Sequence, residues 1–477
     1  MANRRKTQLG DMRREFETAQ VNDSRLLKRL LDVVGAMDAS PEASFAAMVS
    51  SEAEREGMYR LLRNPRVDWE DLIDAHAGQT AMRAQQAHRT LVVHDTTEMT
   101  VSSEAQLESY LKPKRKGFLA HVSLVLDATE FKRPLGIGGL EIVERKATSK
   151  LRKNGRSMRG NETTKLPDRE YLRWSRGVAK TAELLSDVDD VIHVMDAESD
   201  SYELLATMQD AGHSFVTRMS HNRRAKASTD DDISRIRDLL SRARSFKRTR
   251  EIQVSKRSAS RAPDAAKARP TRSARTAELT LSFTTVVIQR PWYLKMGPAE
   301  LRLQVVRACE MSPPRGVEPI EWMLFTNLCV STKRDVENII DIYRQRWPIE
   351  ELFRALKTGC GFRTRNLTNR QSIYTSLALL LPIACKALAL RTAARTSTRS
   401  AHSILSEDEV QVLRAKAGSM KLRLPPKPTA QQALALIAQI GGHRQSNGPP
   451  GWKPILRGVQ RLEDLVTGWT LREALEM

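Results

Sequence analysis

Two short apolar runs, about a hundred residues apart, each stop at a carboxylate. Thr90-Leu-Val-Val-His94 is followed by Asp95, and Val191-Ile-His-Val-Met195 by Asp196. Short runs rich in β-branched residues read as buried strands. An acid set just past such a strand is held rigidly and reaches the crevice where ligands of α/β sheets commonly lie. Two hard carboxylates converging from neighbouring strands suit Mg²⁺, which prefers oxygen ligands. An aspartate after a strand is also a common turn former or helix cap, so the pair alone leaves both readings open.

The surrounding pattern predicts a mixed α/β fold. A helix is expected through Leu26, Leu27, Leu30, Leu31 and Val34, capped by Asn22 or Asp23, and a second over 52–62 that stops near Asn64-Pro65. Strands are expected at 118–126 and 135–143, with a helix over 168–186. From 214 to 327 the pattern is mainly strand: 214–219, 250–255, 277–289, 301–308 and 320–326. Within it, 242–275 is dense in Arg, Lys, Ser and Ala and reads as a solvated basic hairpin or loop. One long helix is expected over about 332–359 and another over 370–394. A helical tail from 405 is broken by Pro425-Pro426 and by Gly448-Pro-Pro-Gly451. The domain boundaries expected are 1–75, 76–395 with a β-rich insertion at about 214–327, and 396–477.

Charge narrows the partner. Lys and Arg number 78 against 57 Asp and Glu, a net +21. That surplus favours a polyanion, because neutralising phosphates releases counterions. A ribosome-associated or merely adhesive basic protein would share it, and charge says nothing about chemistry. Cys309, Cys329, Cys360 and Cys385 stand singly, which argues against a structural zinc site or a disulfide framework. Met-Ala-Asn-Arg-Arg-Lys at the start has no apolar core behind it. The apolar stretch 377–390 contains Pro382 and Lys386 and reads as a buried helix, not a membrane span. The expectation is a soluble cytoplasmic protein with no membrane partner.

A third acid lies in Asp341-Ile-Tyr-Arg-Gln-Arg-Trp-Pro-Ile-Glu-Glu-Leu-Phe-Arg-Ala-Leu-Lys357. On a continuous helix Tyr343, Arg346, Glu350 and Lys357 would fall within roughly 60° of one another. A core-facing helix would not turn a phenol, a guanidinium, a carboxylate and an ammonium toward apolar neighbours. Ile349, Leu352, Phe353 and Leu356 supply the buried side. Pro348 would kink this helix or sit in its first turn.

The order Tyr-x2-Arg-x3-Glu-x6-Lys resembles the signature of the insertion-sequence-four, Tn-five-like group of DDE transposases. His94-Asp95-Thr-Thr97 and Met195-Asp196-Ala-Glu-Ser-Asp200 resemble the group's first two catalytic strand ends. Glu56-Gly-Met-Tyr-Arg-Leu-Leu-Arg-Asn-Pro65 is similar to its N-terminal region. Pro313-Pro-Arg-Gly316 with Trp322-Met-Leu-Phe-Thr326 is similar to the end of its β-insertion. The resemblance implies an RNase H-like catalytic core, a helical DNA-binding domain before it and a helical dimerisation domain after it.

It further implies that Asp95, Asp196 and Glu350 hold two Mg²⁺ or Mn²⁺ ions for DNA cleavage and joining. Trp322 would stack on a base flipped from the transposon end, and Tyr343, Arg346 and Lys357 would grip its phosphate. Arg354, Arg29, Arg60, Arg63, Arg223 and Arg224 are further DNA-contact candidates, although any surface arginine is often only solvated. The partners implied are transposon-end and target duplex DNA and a second copy of the chain in a paired-end complex. A metal nuclease that only cuts, or a DNA-binding regulator without chemistry, are the competing readings.

Overall fold

The computed structural model describes residues 9–476 apart from 113–114, 130–131, 146–151, 154–155, 158–168, 228–232, 244, 255–272 and 396–397. The chain forms two compact units, Met1–Val191 with Trp347–Met477, and Ile192–Arg346. Both are built from helices and strands, and the fold is mixed α/β.

The first unit begins with three helices, each stopped or started by a recognisable cap. α1 (Ser24–Ala39) is capped by Asp23, whose carboxylate accepts from Arg25 N at 2.8 Å. α2 (Glu52–Arg63) starts in a reciprocal Ser51/Glu54 capping box and ends at Asn64. α3 (Trp69–Ala84) is capped by Asp68. β1 (Thr90–Thr100), β2 (Tyr110–Lys112), β3 (Arg115–Asp127) and β4 (Arg133–Val143) follow. β3 is the centre of this group, antiparallel to β1, β2 and β4. Helices α3 and α4 (Leu172–Leu184) cover β4. β1 does not stop at Asp95: it stays paired to β3 as far as Thr100 opposite Gly117. The Thr-Thr-Glu-Met-Thr stretch after Asp95 keeps the alternation of a strand with one buried face.

β5 (Val191–Met195) leads into the second unit, and α5 (Tyr202–Asp210) connects it to the parallel strand β6 (Ser214–Arg218). Then come β7 (Arg224–Ala227), β8 (Ile233–Arg235), α6 (Ile236–Arg242), β9 (Ser245–Val254), β10 (Arg275–Gln289), β11 (Glu300–Glu310) and β12 (Glu321–Thr326). The order across this unit is β5-β6-β12-β11-β10-β7-β8, with β9 on β10. Within the basic stretch expected as a hairpin or loop, β9 and the start of β10 pair antiparallel, and 255–272 lie outside the described residues. α7 (Lys333–Arg344) lies on β6, β10 and β11.

The single helix expected over 332–359 is broken. α7 ends at Arg344, a turn covers Gln345–Trp347, and α8 (Pro348–Arg354) begins with proline at its first position. Pro348 has no N–H to donate to α7's ladder, but its fixed φ suits a helix start. A π-helical turn at Ala355–Gly359 closes the segment. The wheel that aligned Tyr343, Arg346, Glu350 and Lys357 therefore does not apply.

Back in the first unit, α9 (Arg370–Ala393) is long and apolar enough to cross a membrane, yet 83% of its most apolar window is buried. It packs on α2, α3 and β4, and Lys386 pairs with Asp38 at 2.7 Å. α10 (Glu407–Ser419), α11 (Ala430–Ile440) and α12 (Trp452–Glu476) form the end of the chain around Leu413, Ile437 and Leu462. Gly441 and Gly458 let the backbones of α11 and α12 touch: a Cβ on either would strike the other helix's main chain.

One buried charge cluster ties the N-terminal segment to α3 and β4. Glu15 meets Arg83 at 2.7 and 2.9 Å and lies 2.6 Å from His76 Nδ1. Arg83 Nε donates to Leu135 O, and His76 Nε2 accepts from Ile137 N at 3.0 Å. Burial alone would raise the Glu15 pKa, but His76 and Arg83 outweigh it and bring it from 4.5 to about 2. A depressed carboxylate stabilises the fold above its unfolded pKa and loses that contribution as pH falls toward its folded one. Glu15→Ala is expected to cost about 3–5 kcal/mol at pH 7, because it strands Arg83. Urea unfolding should show the deficit shrinking as pH drops from about 4.5 toward 2.

Candidate active site

In the first unit Asp95 lies mid-strand on β1, opposite Val122, and is 9% exposed. Its Oδ1 accepts from Thr96 N at 2.8 Å. Thr97, on the same face by strand alternation, accepts a hydrogen bond from Lys357 Nζ. α8 packs against β1 and carries Glu350 in its first turn. The two adjacent acids of that helix differ sharply. Glu351 is buried and bonded to Arg395 at 2.6 Å, whereas Glu350 is only partly buried. Ile349 and Leu352 anchor the helix below, leaving Glu350 on its more open side.

Lys357 sits in this neighbourhood under electrostatic strain. Burial lowers its pKa, Arg363 and Arg115 push the same way, and Glu98 and Asp95 pull back, leaving it at about 8 instead of 10.5. Arg354 is exposed, with its guanidinium 5.8 Å from the centre of the Trp347 ring, and that indole is itself 46% exposed.

In the second unit Asp196 follows β5 directly and caps the short turn Ala197–Ser199, accepting from Glu198 N at 2.8 Å. Its backbone carbonyl accepts from Thr217 Oγ1 at 3.2 Å, which fixes it to β6. Tyr343, near the end of α7, is buried, and its ring stands edge-on to Trp322 with centroids 6.1 Å apart. Burial raises the Tyr343 pKa; Arg346 and Arg218 oppose the rise, Asp196 adds to it, and Arg218 also hydrogen-bonds the tyrosine. Asp196, Trp322, Tyr343 and Arg346 are therefore neighbours within this unit. Arg218 belongs with them and escaped the sequence reading. Its signal was present, since the strand 214–218 ends at a charge just as 191–195 ends before one.

The remaining basic candidates divide. Arg223 is committed to Asp200, at 2.6 Å from a carboxylate whose side chain is wholly buried, and covers the ring of Phe325. Arg224 is exposed on β7, opposite Arg235. Arg29, Arg60 and Arg63 are exposed on α1 and α2; Arg60 pairs with Glu56, and Arg63 lies over Tyr59.

In chemistry the three acids suit a hard divalent cation. Among the described residues no three His, Cys, Asp or Glu side chains are grouped to hold a metal.

Comparison with known families defines the class. The family model described as "Transposase DDE domain" matches residues 175–385, a span that holds Asp196, Trp322, Tyr343, Arg346, Glu350 and Lys357, with Asp95 before it. The model described as "Transposase DNA-binding" matches residues 8–67, which hold Arg29, Arg60 and Arg63. One chain thus joins a transposase DNA-binding domain to a DDE domain, and the protein is a DNA-cleaving transposase. Domains of the DDE type act with divalent metal ions. Among solved structures, the cryo-EM structure of a piggyBac transposase synaptic complex with hairpin DNA is similar at 10% identity and a TM-score of 0.36. That match covers 97% of this chain and 84% of the other. A score that low does not establish a shared fold.

The state of Lys357 yields a test. Its folded pKa lies below its unfolded one, so the charged form costs stability below pH 8, and the cost disappears as pH rises from 8 to 10.5. Lys357→Met is expected to stabilise the protein by roughly 1 kcal/mol at pH 7, a value discounted for its partial exposure. Thermal unfolding should show that advantage vanish by about pH 10.5.

Proposed function

We propose that this chain is a cut-and-paste transposase of the insertion-sequence-four group, with an RNase H-like core in which Asp95, Asp196 and Glu350 are the catalytic acids. The observation that carries the reading is the aromatic pair Trp322–Tyr343 beside Asp196, with Arg218 and Arg346 around it. A stacking surface, cations for phosphate and a metal-type carboxylate together fit an enzyme that distorts a DNA end while cutting it. Simple hydrolysis needs no such surface.

The chemistry is a series of displacements at phosphorus. Water attacks at the transposon end, forming a new P–O bond and releasing a 3′-hydroxyl. That hydroxyl attacks the opposite strand, expelling the flanking DNA and closing a hairpin. A second water breaks the hairpin's new bond and frees the 3′-hydroxyl again, which then attacks a target phosphate and expels the target strand's own 3′-hydroxyl. Two Mg²⁺ or Mn²⁺ ions held by the three acids would activate the entering oxygen and stabilise the leaving one.

The chain's own residues supply positioning. Trp322 stacks on a base turned out of the helix, offsetting the unstacking cost by roughly 1–3 kcal/mol. Tyr343, Arg346 and Lys357 hold the adjoining phosphate, where a guanidinium can bond two oxygens at once. Arg354 and Arg224 extend the cationic surface, and Arg29, Arg60 and Arg63 on α1 and α2 read the terminal sequence. Arg223 serves indirectly, by holding Asp200.

A homodimer is part of the proposal. The last turns of α12 expose Leu465, Trp469, Leu471 and Leu475, the last at 88%. Leu465 and Trp469 lie one turn apart, as do Leu471 and Leu475, and exposed apolar pairs on the same helix suit a second copy of it.

Purified protein incubated with Mg²⁺ and DNA from the ends of its own element is expected to give hairpins and strand-transfer products. Asp95→Asn, Asp196→Asn and Glu350→Gln should each reduce both by about a thousandfold or more, roughly 4 kcal/mol of transition-state stabilisation. Nicks without hairpins would instead mark a nuclease, and tight binding without any product a regulator.

A further inference from the structure

The turn joining β10 to β11 closes where Gln289 faces Glu300. Residues 290–299 read Arg-Pro-Trp-Tyr-Leu-Lys-Met-Gly-Pro-Ala. Trp292 is 79% exposed, Met296 84% and Tyr293 39%. Single exposed apolar residues need no explanation, but three large ones on one turn mark a contact surface.

The turn is braced from within. Arg290 N donates to Ala299 O at 2.8 Å and Arg290 Nη1 to Gly297 O at 2.6 Å. Leu294 N donates to Pro291 O at 2.9 Å, and Tyr202 OH from α5 donates to Pro298 O at 2.9 Å. Gly297 takes φ +91°, a left-handed value that disfavours any side chain. The apolar tip is thus presented by a fixed backbone, so little ordering entropy would be lost when something binds it.

Trp292 and Tyr293 meet edge to face, with centroids 6.0 Å apart and planes at 86°. Neither ring covers both faces of the other, so a further flat ring can still stack. The tip carries Arg290 and Lys295 and no acid between 290 and 299. Arg290 is committed to the turn, whereas Lys295 is exposed. A partner that offers flat apolar faces beside negative charge is nucleic acid.

We infer that the β10–β11 tip is a second DNA-contact element, in which Trp292 and Met296 insert against the base stack of a distorted duplex while Lys295 meets its backbone phosphate. This rests on the transposase reading. It assigns a role distinct from Trp322, which is half-buried on β12 and packed on Tyr343.

The test uses the full chain and fluorescence anisotropy on two probes, an intact duplex and the same duplex with a short mismatched bubble. Cleavage in Mg²⁺ is assayed on the same preparations. Wild type should prefer the bubble. Trp292→Ala should bind it about tenfold more weakly, with a smaller change on intact duplex, and Trp292→Phe should recover most of the loss. If wild type cleaves DNA but Trp292→Ala binds the bubble equally well, the tip has no such role and the transposase reading stands. If wild type neither binds nor cleaves, the transposase reading itself falls. Sedimentation with phosphatidylserine vesicles that depends on Trp292, with DNA binding unchanged, would make the tip a lipid contact and overturn the inference.

Discussion

The antiparallel ladder between β1 and β3 holds Asp95 and its neighbours in the first unit. It runs without interruption from Thr90 opposite Asp127 to Thr100 opposite Gly117. Along it the side chains alternate, so one register fixes Asp95 and Thr97 together on one face. Shifting that register by a single residue would turn Asp95 to the other face and remove the partner of Lys357. The apolar run before Asp95 is fully buried, which is why such a slip would be costly.

Charge is handled differently inside and outside. Glu15, Glu310 and Asp200 are buried, and each is met by arginine: Arg83, Arg275 and Arg223 respectively. These pairs satisfy groups that would otherwise be stranded in a low dielectric. They also mean that part of the basic surplus is structural. Within α8, Glu351 is buried and paired with Arg395, while Glu350 is only partly buried.

Pro348 organises the rest. By ending the ladder of α7 and starting α8, it lets one stretch of sixteen or so residues contribute to both units, whose boundary falls at Arg346. Tyr343 and Arg346 stay with Trp322 and Asp196, while Glu350 and Lys357 go with Asp95. The four residues that share a short sequence pattern are thus divided between two groups of partners.

Much of this was legible in the sequence. Asn22 or Asp23 marked the start of α1 and Asn64-Pro65 the stop of α2, and runs of apolar and β-branched residues located β3, β4, β10, β11 and β12, because caps, prolines and strand composition act locally. The acids Asp95, Asp196 and Glu350 could be singled out as candidates because strand ends and residue spacing are local too. What the sequence could not decide was set by partners distant along the chain. β1 continues past Asp95 because β3 is there to pair with it. Arg223 is committed because Asp200 is buried beside it, and Arg218 matters because Tyr343 comes to it. The sequence by itself determined the element types and the chemical groups. Only tertiary structure decided which of those groups are neutralised inside and which remain open, because burial and pairing depend on contacts made across the fold.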